Sequence, residues 1–297
     1  MLMKMFGRIT CKLAITACLL GGISDLFAQI PTTQRSIRRA QPTKFAEPKI
    51  GQQESILLIG NSYTYFNSMG LMLNAMLEKQ GVSMKVGQQC IDAGQLQSHA
   101  SNEETLARLS GQKWKFVVLQ EQSDTPTADP EAMITAGKAL CKKIRDAQGT
   151  PVLFVTWAKK EAAENQNIAK EQQDNISTSY VKLAKETKAR LAPVGPAWLL
   201  CNKKYPQYAL HQEDGSHPTK LGSYLTACVL FRSITGKSPV GLPAKIIVGN
   251  ATICNLPYEQ ARHLQQIAEE ACKSFSPAAI LKKAEQKDKE ASNPSQD

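Results

Sequence analysis

Beyond its N-terminal segment, the 297-residue sequence has no apolar run approaching the roughly 18 residues that a bilayer crossing needs, which argues against a polytopic membrane protein. Its eight cysteines include no C-x-x-C pair, so zinc-ribbon and thioredoxin-like readings fall away, and they are too few for a disulfide scaffold. Walker loops, H-E-x-x-H and G-x-G-x-x-G are missing, so nucleotide, zinc-protease and dinucleotide chemistry have no support; neither a cofactor nor a metal is expected. Only four histidines occur, His99, His211, His217 and His263, and any imidazole chemistry must draw on them. What is present, 42% hydrophobic and 21% charged residues, is the composition of a globular protein.

The first 28 residues carry Lys4, Arg8 and Lys12, an apolar stretch from Leu13 to Ile23, and Leu26-Phe27-Ala28 before Gln29. That is the layout of a secretory leader, with an apolar part too short for a stable membrane span. Ile15-Thr16-Ala17-Cys18 resembles a lipobox, but its short apolar lead-in and the apolar residues after Cys18 favour cleavage near Ala28 over lipidation. A secreted or periplasmic location follows. The formal charge of +10 divides into +2 in the leader, +4 in the Pro-containing stretch at 29–50, and +4 in the remainder. Positive charge is therefore concentrated in a basic linker, and the body is not expected to bind nucleic acid. Export leaves six cysteines and allows up to three disulfides, with Cys201, Cys254 and Cys272 the better bridge candidates and Cys141 and Cys228 reading as small buried hydrophobes.

From Ser55 the pattern alternates. Short apolar runs at 55–60, 83–90, 114–120 and 151–157, with a fifth strand expected at 194–200, are separated by helical periodicity at 69–80, 129–148 and 166–191. Further helices are expected at 218–234 and 258–275. Strands and helices in alternation imply βαβ units and a mainly parallel sheet covered on both faces. Residues 51–281 have the length of one α/β domain, and 282–297, with four lysines, four acids and almost no apolar side chains, read as a disordered charged tail.

In such sheets, sites form at the carboxyl ends of the strands. The first strand runs into Gly60-Asn61-Ser62-Tyr63-Thr64, placing Ser62 at a strand-to-helix turn, where a serine would ordinarily cap the helix. More than 150 residues later comes Asp214-Gly215-Ser216-His217-Pro218. A serine hydroxyl needs a base to take its proton, and the base needs a carboxylate to fix its tautomer; His217 and Asp214, three residues apart in a glycine-containing turn, can supply both. His211 is a second candidate base. His99 and Trp157 could line a pocket or simply belong to the core, and His263 reads as solvated on a helix. The S-x-x-K match at Ser179 and Lys182 has no accompanying K-T-G and lies in a polar helical segment.

Ile56 to Thr64 resembles the first sequence block of the SGNH/GDSL hydrolase superfamily, and Asp214 to Pro218 resembles the last, as in a divergent bacterial branch; the resemblance spans about residues 55–235. It implies a three-layer α/β/α sandwich around a flavodoxin-like five-stranded sheet, with Ser62, Asp214 and His217 as catalytic residues. Asn61 stands where the family usually has aspartate. The family takes an oxyanion donor from a glycine after the second strand, matched by Gly94, and another from an asparagine after the third, where this chain has Gln120-Glu121-Gln122. Gln120 or Gln122 could offer the same amide, or either could simply tie down its loop. The implied activity is a metal-independent serine esterase acting on a small-molecule or carbohydrate ester, O-acetyl groups included. A catalytically silent protein binding glycan or an anionic polymer is the alternative.

Overall fold

A computed structural model describes residues 54–160 and 165–292. The leader at 1–28 and the linker at 29–50 lie outside these residues. In chain order the elements are β1 (Glu54–Gly60), α1 (Ser62–Tyr65), a 3-10 turn (Phe66–Ser68), α2 (Met69–Lys79), β2 (Met84–Cys90), α3 (Leu96–Ser101), α4 (Glu103–Ser110), β3 (Phe116–Leu119), α5 (Thr125–Ala128) and α6 (Pro130–Asp146). There follow β4 (Thr150–Phe154), α7 (Gln166–Thr187), β5 (Arg190–Ala192), α8 (Val194–Lys204), α9 (Lys220–Thr235), β6 (Lys245–Val248), β7 (Ala251–Asn255), α10 (Tyr258–Ser274) and α11 (Pro277–Ser292).

Five strands form one parallel sheet in the order β2-β1-β3-β4-β5. The alternation of side chains along β1 explains the layering. Ile56 and Leu58 point into a cluster with α2, α8 and α9, whereas Leu57 and Ile59 point into a second cluster with α6 and α7. All four are essentially inaccessible to solvent, as expected of a central strand covered on both faces. The result is the three-layer α/β/α sandwich, with β1 between β2 and β3, one strand in from the side of the sheet. A separate antiparallel hairpin, β6–β7, packs Ile246 and Cys254 against the first cluster. No helix among the described residues is long and apolar enough to cross a membrane.

Three expectations need correction. The segment at 194–200 is not the fifth strand but the start of α8; Val194, Ala197, Trp198 and Cys201 are buried at helical spacing, and the strand is the three residues before Pro193. The tail is helical through Ser292. Low apolar content does not prevent this, because Lys283 and Lys287, one turn apart, pair with Asp174 and Glu171 on α7. Finally, all six cysteines among the described residues are free thiols; Cys201 and Cys254 are as fully buried as Cys228, and burial pushes their thiols well above the ordinary range.

Candidate active site

β1 delivers the chain to the sheet edge at Gly60, where a side chain would collide with Gln120 and Thr64, its Cβ falling 2.3 Å from Gln120 Oε1. Asn61 then turns the backbone into α1. Its Oδ1 accepts the Tyr63 N–H at 3.1 Å, its Nδ2 donates to the Gly94 carbonyl at 2.9 Å, and its own N–H donates to Gln120 Oε1 at 2.9 Å. An aspartate could accept from Tyr63 but could not donate to Gly94, so the amide suits this position. Ser62 is the first residue of α1, and its N–H has no acceptor among the described residues.

Opposite it lies the turn at 214–217, held in a left-handed conformation at Gly215 (φ 69°). Asp214 Oδ1 accepts the N–H groups of Ser216 and His217, both at 2.9 Å, and its Oδ2 lies 2.6 Å from His217 Nδ1. His217 Nε2 in turn lies 2.9 Å from Ser62 Oγ. Burial acts to raise the Asp214 carboxyl, but the bonds from Ser216 and from the His217 ring and backbone outweigh it and hold the group below the usual carboxylate range. The imidazole is packed face to face on Phe66, with centroids 4.5 Å apart, and meets the edge of Tyr63 at 6.0 Å. Phe66 reaches this position because Asn67 and Ser68 after it both adopt left-handed backbone conformations, with Asn67 Nδ2 donating to the Pro218 carbonyl and Ser223 Oγ. Two consecutive strained non-glycine residues beside a reactive constellation are a feature that sequence patterns do not announce.

No protein-family model matches the chain, and no curated protein is detectably similar in sequence. Solved structures are similar. A protein from Slackia heliotrinireducens described as a candidate SGNH hydrolase is 26% identical, with a TM-score of 0.52 over 62% of this chain and 100% of that one. The chain is a divergent relative of the SGNH hydrolases. A DUF4886 family protein from Bacteroides uniformis shares the fold at 19% identity and a TM-score of 0.60, over 75% of this chain and 96% of that one. An acetyl xylan esterase does so at 16% identity and a TM-score of 0.50, over 61% and 99%.

Against the SGNH pattern, the three residues expected to complete the oxyanion site are committed elsewhere. The Gly94 N–H donates to the Ile91 carbonyl at 2.9 Å, and its carbonyl holds Asn61. Gln120 is fully buried; its Oε1 accepts from Asn61 and from Thr64 Oγ1, and its amide nitrogen donates to the Glu121 carbonyl. Gln122 uses its Oε1 to accept the N–H groups of Asp124 and Thr125 at the start of α5, and its Nε2 donates to Ser123 Oγ. Both glutamines thus tie down the loop after β3. His211 does not approach Ser62: its Nε2–H donates to the Ala158 carbonyl, and burial holds its ring below the ordinary histidine range. His99 is fully buried with Nε2 on the Gly60 carbonyl and Nδ1 beside Thr105 Oγ1, bracing β1 from behind. His263 is not freely solvated, being stacked on Tyr205 at 4.4 Å and bonded to Tyr208 Oη at 2.8 Å. Trp157 belongs to the core, sandwiched between Tyr63 and Trp198. No group of three or more potential metal-ligating His, Cys, Asp or Glu side chains occurs among the described residues.

Proposed function

We propose that this SGNH-type fold is a serine esterase, exported by its N-terminal segment, that hydrolyses small acyl esters. The observation that carries the reading is the continuous relay from Ser62 Oγ to His217 Nε2 at 2.9 Å and from His217 Nδ1 to Asp214 Oδ2 at 2.6 Å. With Nδ1–H donated to the carboxylate, Nε2 is the acceptor for the serine proton. Ser62 Oγ attacks the ester carbonyl as His217 takes that proton; the tetrahedral oxyanion collapses, the alcohol leaves with the proton from His217, and the acyl group stays on Ser62. Water activated by the same imidazole then attacks the acyl-enzyme and releases the acid. Asp214, held ionised, orients the ring and offsets its transient positive charge.

The Ser62 N–H, at the first position of a helix and without another acceptor among the described residues, is suited to the developing oxyanion. O-acetyl groups on carbohydrate are the proposed substrate class, supported by the shared fold of the acetyl xylan esterase. A silent glycan- or polymer-binding role would have no use for a serine hydroxyl aligned on an imidazole and is not favoured. Hydrolysis of a chromogenic acetyl ester by the wild type and by Ser62→Ala tests the reading: loss of several orders of magnitude in the variant is expected, and equal rates would overturn it.

A further inference from the structure

Ser216 lies between the two ionisable members of the relay but belongs to neither end of it, and all of its polar groups are engaged. Its N–H donates to Asp214 Oδ1 at 2.9 Å, its carbonyl accepts Trp157 Nε1–H at 3.0 Å, and its hydroxyl is bonded to the Tyr63 hydroxyl at 2.6 Å. The two aromatic partners form one stack. Tyr63 lies on Trp157 with centroids 4.2 Å apart and 13° between planes, and Trp157 lies on Trp198 at 3.9 Å and 0°. All three rings are at most 3% exposed, so neither Tyr63 nor Trp157 can swing away from Ser216 without opening the core.

Tyr63 is also the residue directly after Ser62 and is fixed at its backbone by Asn61. One side chain therefore joins the turn that carries the nucleophile to the turn that carries the base. We propose that Tyr63 is a positioning residue whose hydroxyl, through Ser216, sets the alignment of His217 Nε2 on Ser62 Oγ. A buried phenol can do this across the working pH range, because burial pushes its ionisation up to about 12 and it keeps its proton. Removing the Ser216 hydroxyl leaves the stack of Tyr63 on Trp157 and of Trp157 on Trp198 in place.

The inference rests on the serine-esterase reading, and its test separates the two. Turnover of 4-nitrophenyl acetate is measured for the wild type, Ser62→Ala, Tyr63→Phe, Ser216→Ala and the Tyr63→Phe/Ser216→Ala double variant. Alongside it, the His217 Nδ1–H proton resonance is followed by NMR in the same proteins. Each hydroxyl deletion is expected to lower kcat about tenfold with KM within about twofold, the double variant to be no slower than the slower single one, and the Nδ1–H signal to broaden in both. Multiplying rate losses, or unchanged kcat and unchanged Nδ1–H signals in the single variants, would overturn the positioning role. Undiminished turnover in Ser62→Ala would instead overturn the esterase reading, and the NMR comparison would still decide whether the clamp orders His217.

Discussion

Asp214 and His217 are joined twice, through the histidine backbone N–H to Oδ1 at 2.9 Å and through the ring Nδ1 to Oδ2 at 2.6 Å. The carboxylate thereby fixes both where the residue sits and how its ring is turned. Asp214→Asn keeps an oxygen for the backbone bond but can present an N–H to the ring, favouring the tautomer in which Nε2 carries the proton and cannot accept one. Turnover of an acetyl ester is expected to fall by about 10³-fold or more with little change in melting temperature. Retained turnover would show that the carboxylate does not orient the base.

Phe66 covers one face of the imidazole that must become a cation during the reaction. Phe66→Leu keeps the bulk and removes the π face, whose attraction for a cation is worth about 0.5–1 kcal/mol at a partly exposed site. A fall of roughly two- to fivefold in kcat/KM, with melting temperature nearly unchanged, is the expected outcome in steady-state kinetics. No change would mean that Phe66 serves only as packing.

Gln120 supplies buried bonds to the Asn61 N–H and the Thr64 hydroxyl. Gln120→Ala strips the one shared acceptor from two groups that water cannot reach, so urea denaturation should show a loss of about 1–3 kcal/mol or more. Gln122, half-exposed and serving as a loop cap, should cost less when changed to alanine, roughly 1 kcal/mol, with esterase turnover close to wild type. Severe loss of turnover in a Gln122→Ala protein of normal stability would instead assign its amide to the oxyanion.

Glu121 is fully buried, accepts the Leu96 and Gln122 N–H groups on Oε1, and has no partner for Oε2 among the described residues. Burial outweighs the two N–H bonds and pushes its ionisation up to about 7, against about 4.5 for an ordinary glutamate. Because the folded state holds this proton more tightly than the unfolded chain, the group favours the folded state less as pH rises from about 4.5 to about 7, and the cost is complete above that range, on the order of 3 kcal/mol. Glu121→Gln cannot ionise. Its melting temperature relative to wild type should therefore be more favourable at pH 8 than at pH 5, and an equal difference at both would show that Glu121 does not titrate in this window.

Much of this architecture was legible from periodicity. The expected strand at 55–60 is β1, and the helices expected at 69–80, 129–148 and 258–275 agree with α2, α6 and α10 to within a few residues at each end. The serine, aspartate and histidine could be paired from a strand-end turn and a short acidic turn because each motif is local. The glutamines could not be placed, because their partners, Asn61 and the N–H groups opening α5, depend on how the loop after β3 folds back. The short α8 reads as a strand in the sequence because its buried residues look the same at either period over so few positions. The hairpin β6–β7 offered only four- and five-residue runs with exposed Ile247 and Val248, too weak a pattern to stand out. The link from Tyr63 to Ser216 joins residues 153 apart, and nothing in either local sequence points to the other.

The central claim is that Ser62 is a nucleophile activated by His217, and covalent labelling reads this without knowledge of the natural substrate. The protein is treated with an alkyl fluorophosphonate and the modified residue located by peptide mass spectrometry. The account predicts one adduct per chain on Ser62, formed far more slowly in His217→Ala and not at all in Ser62→Ala. An unmodified Ser62, or labelling that is indifferent to His217, would contradict it.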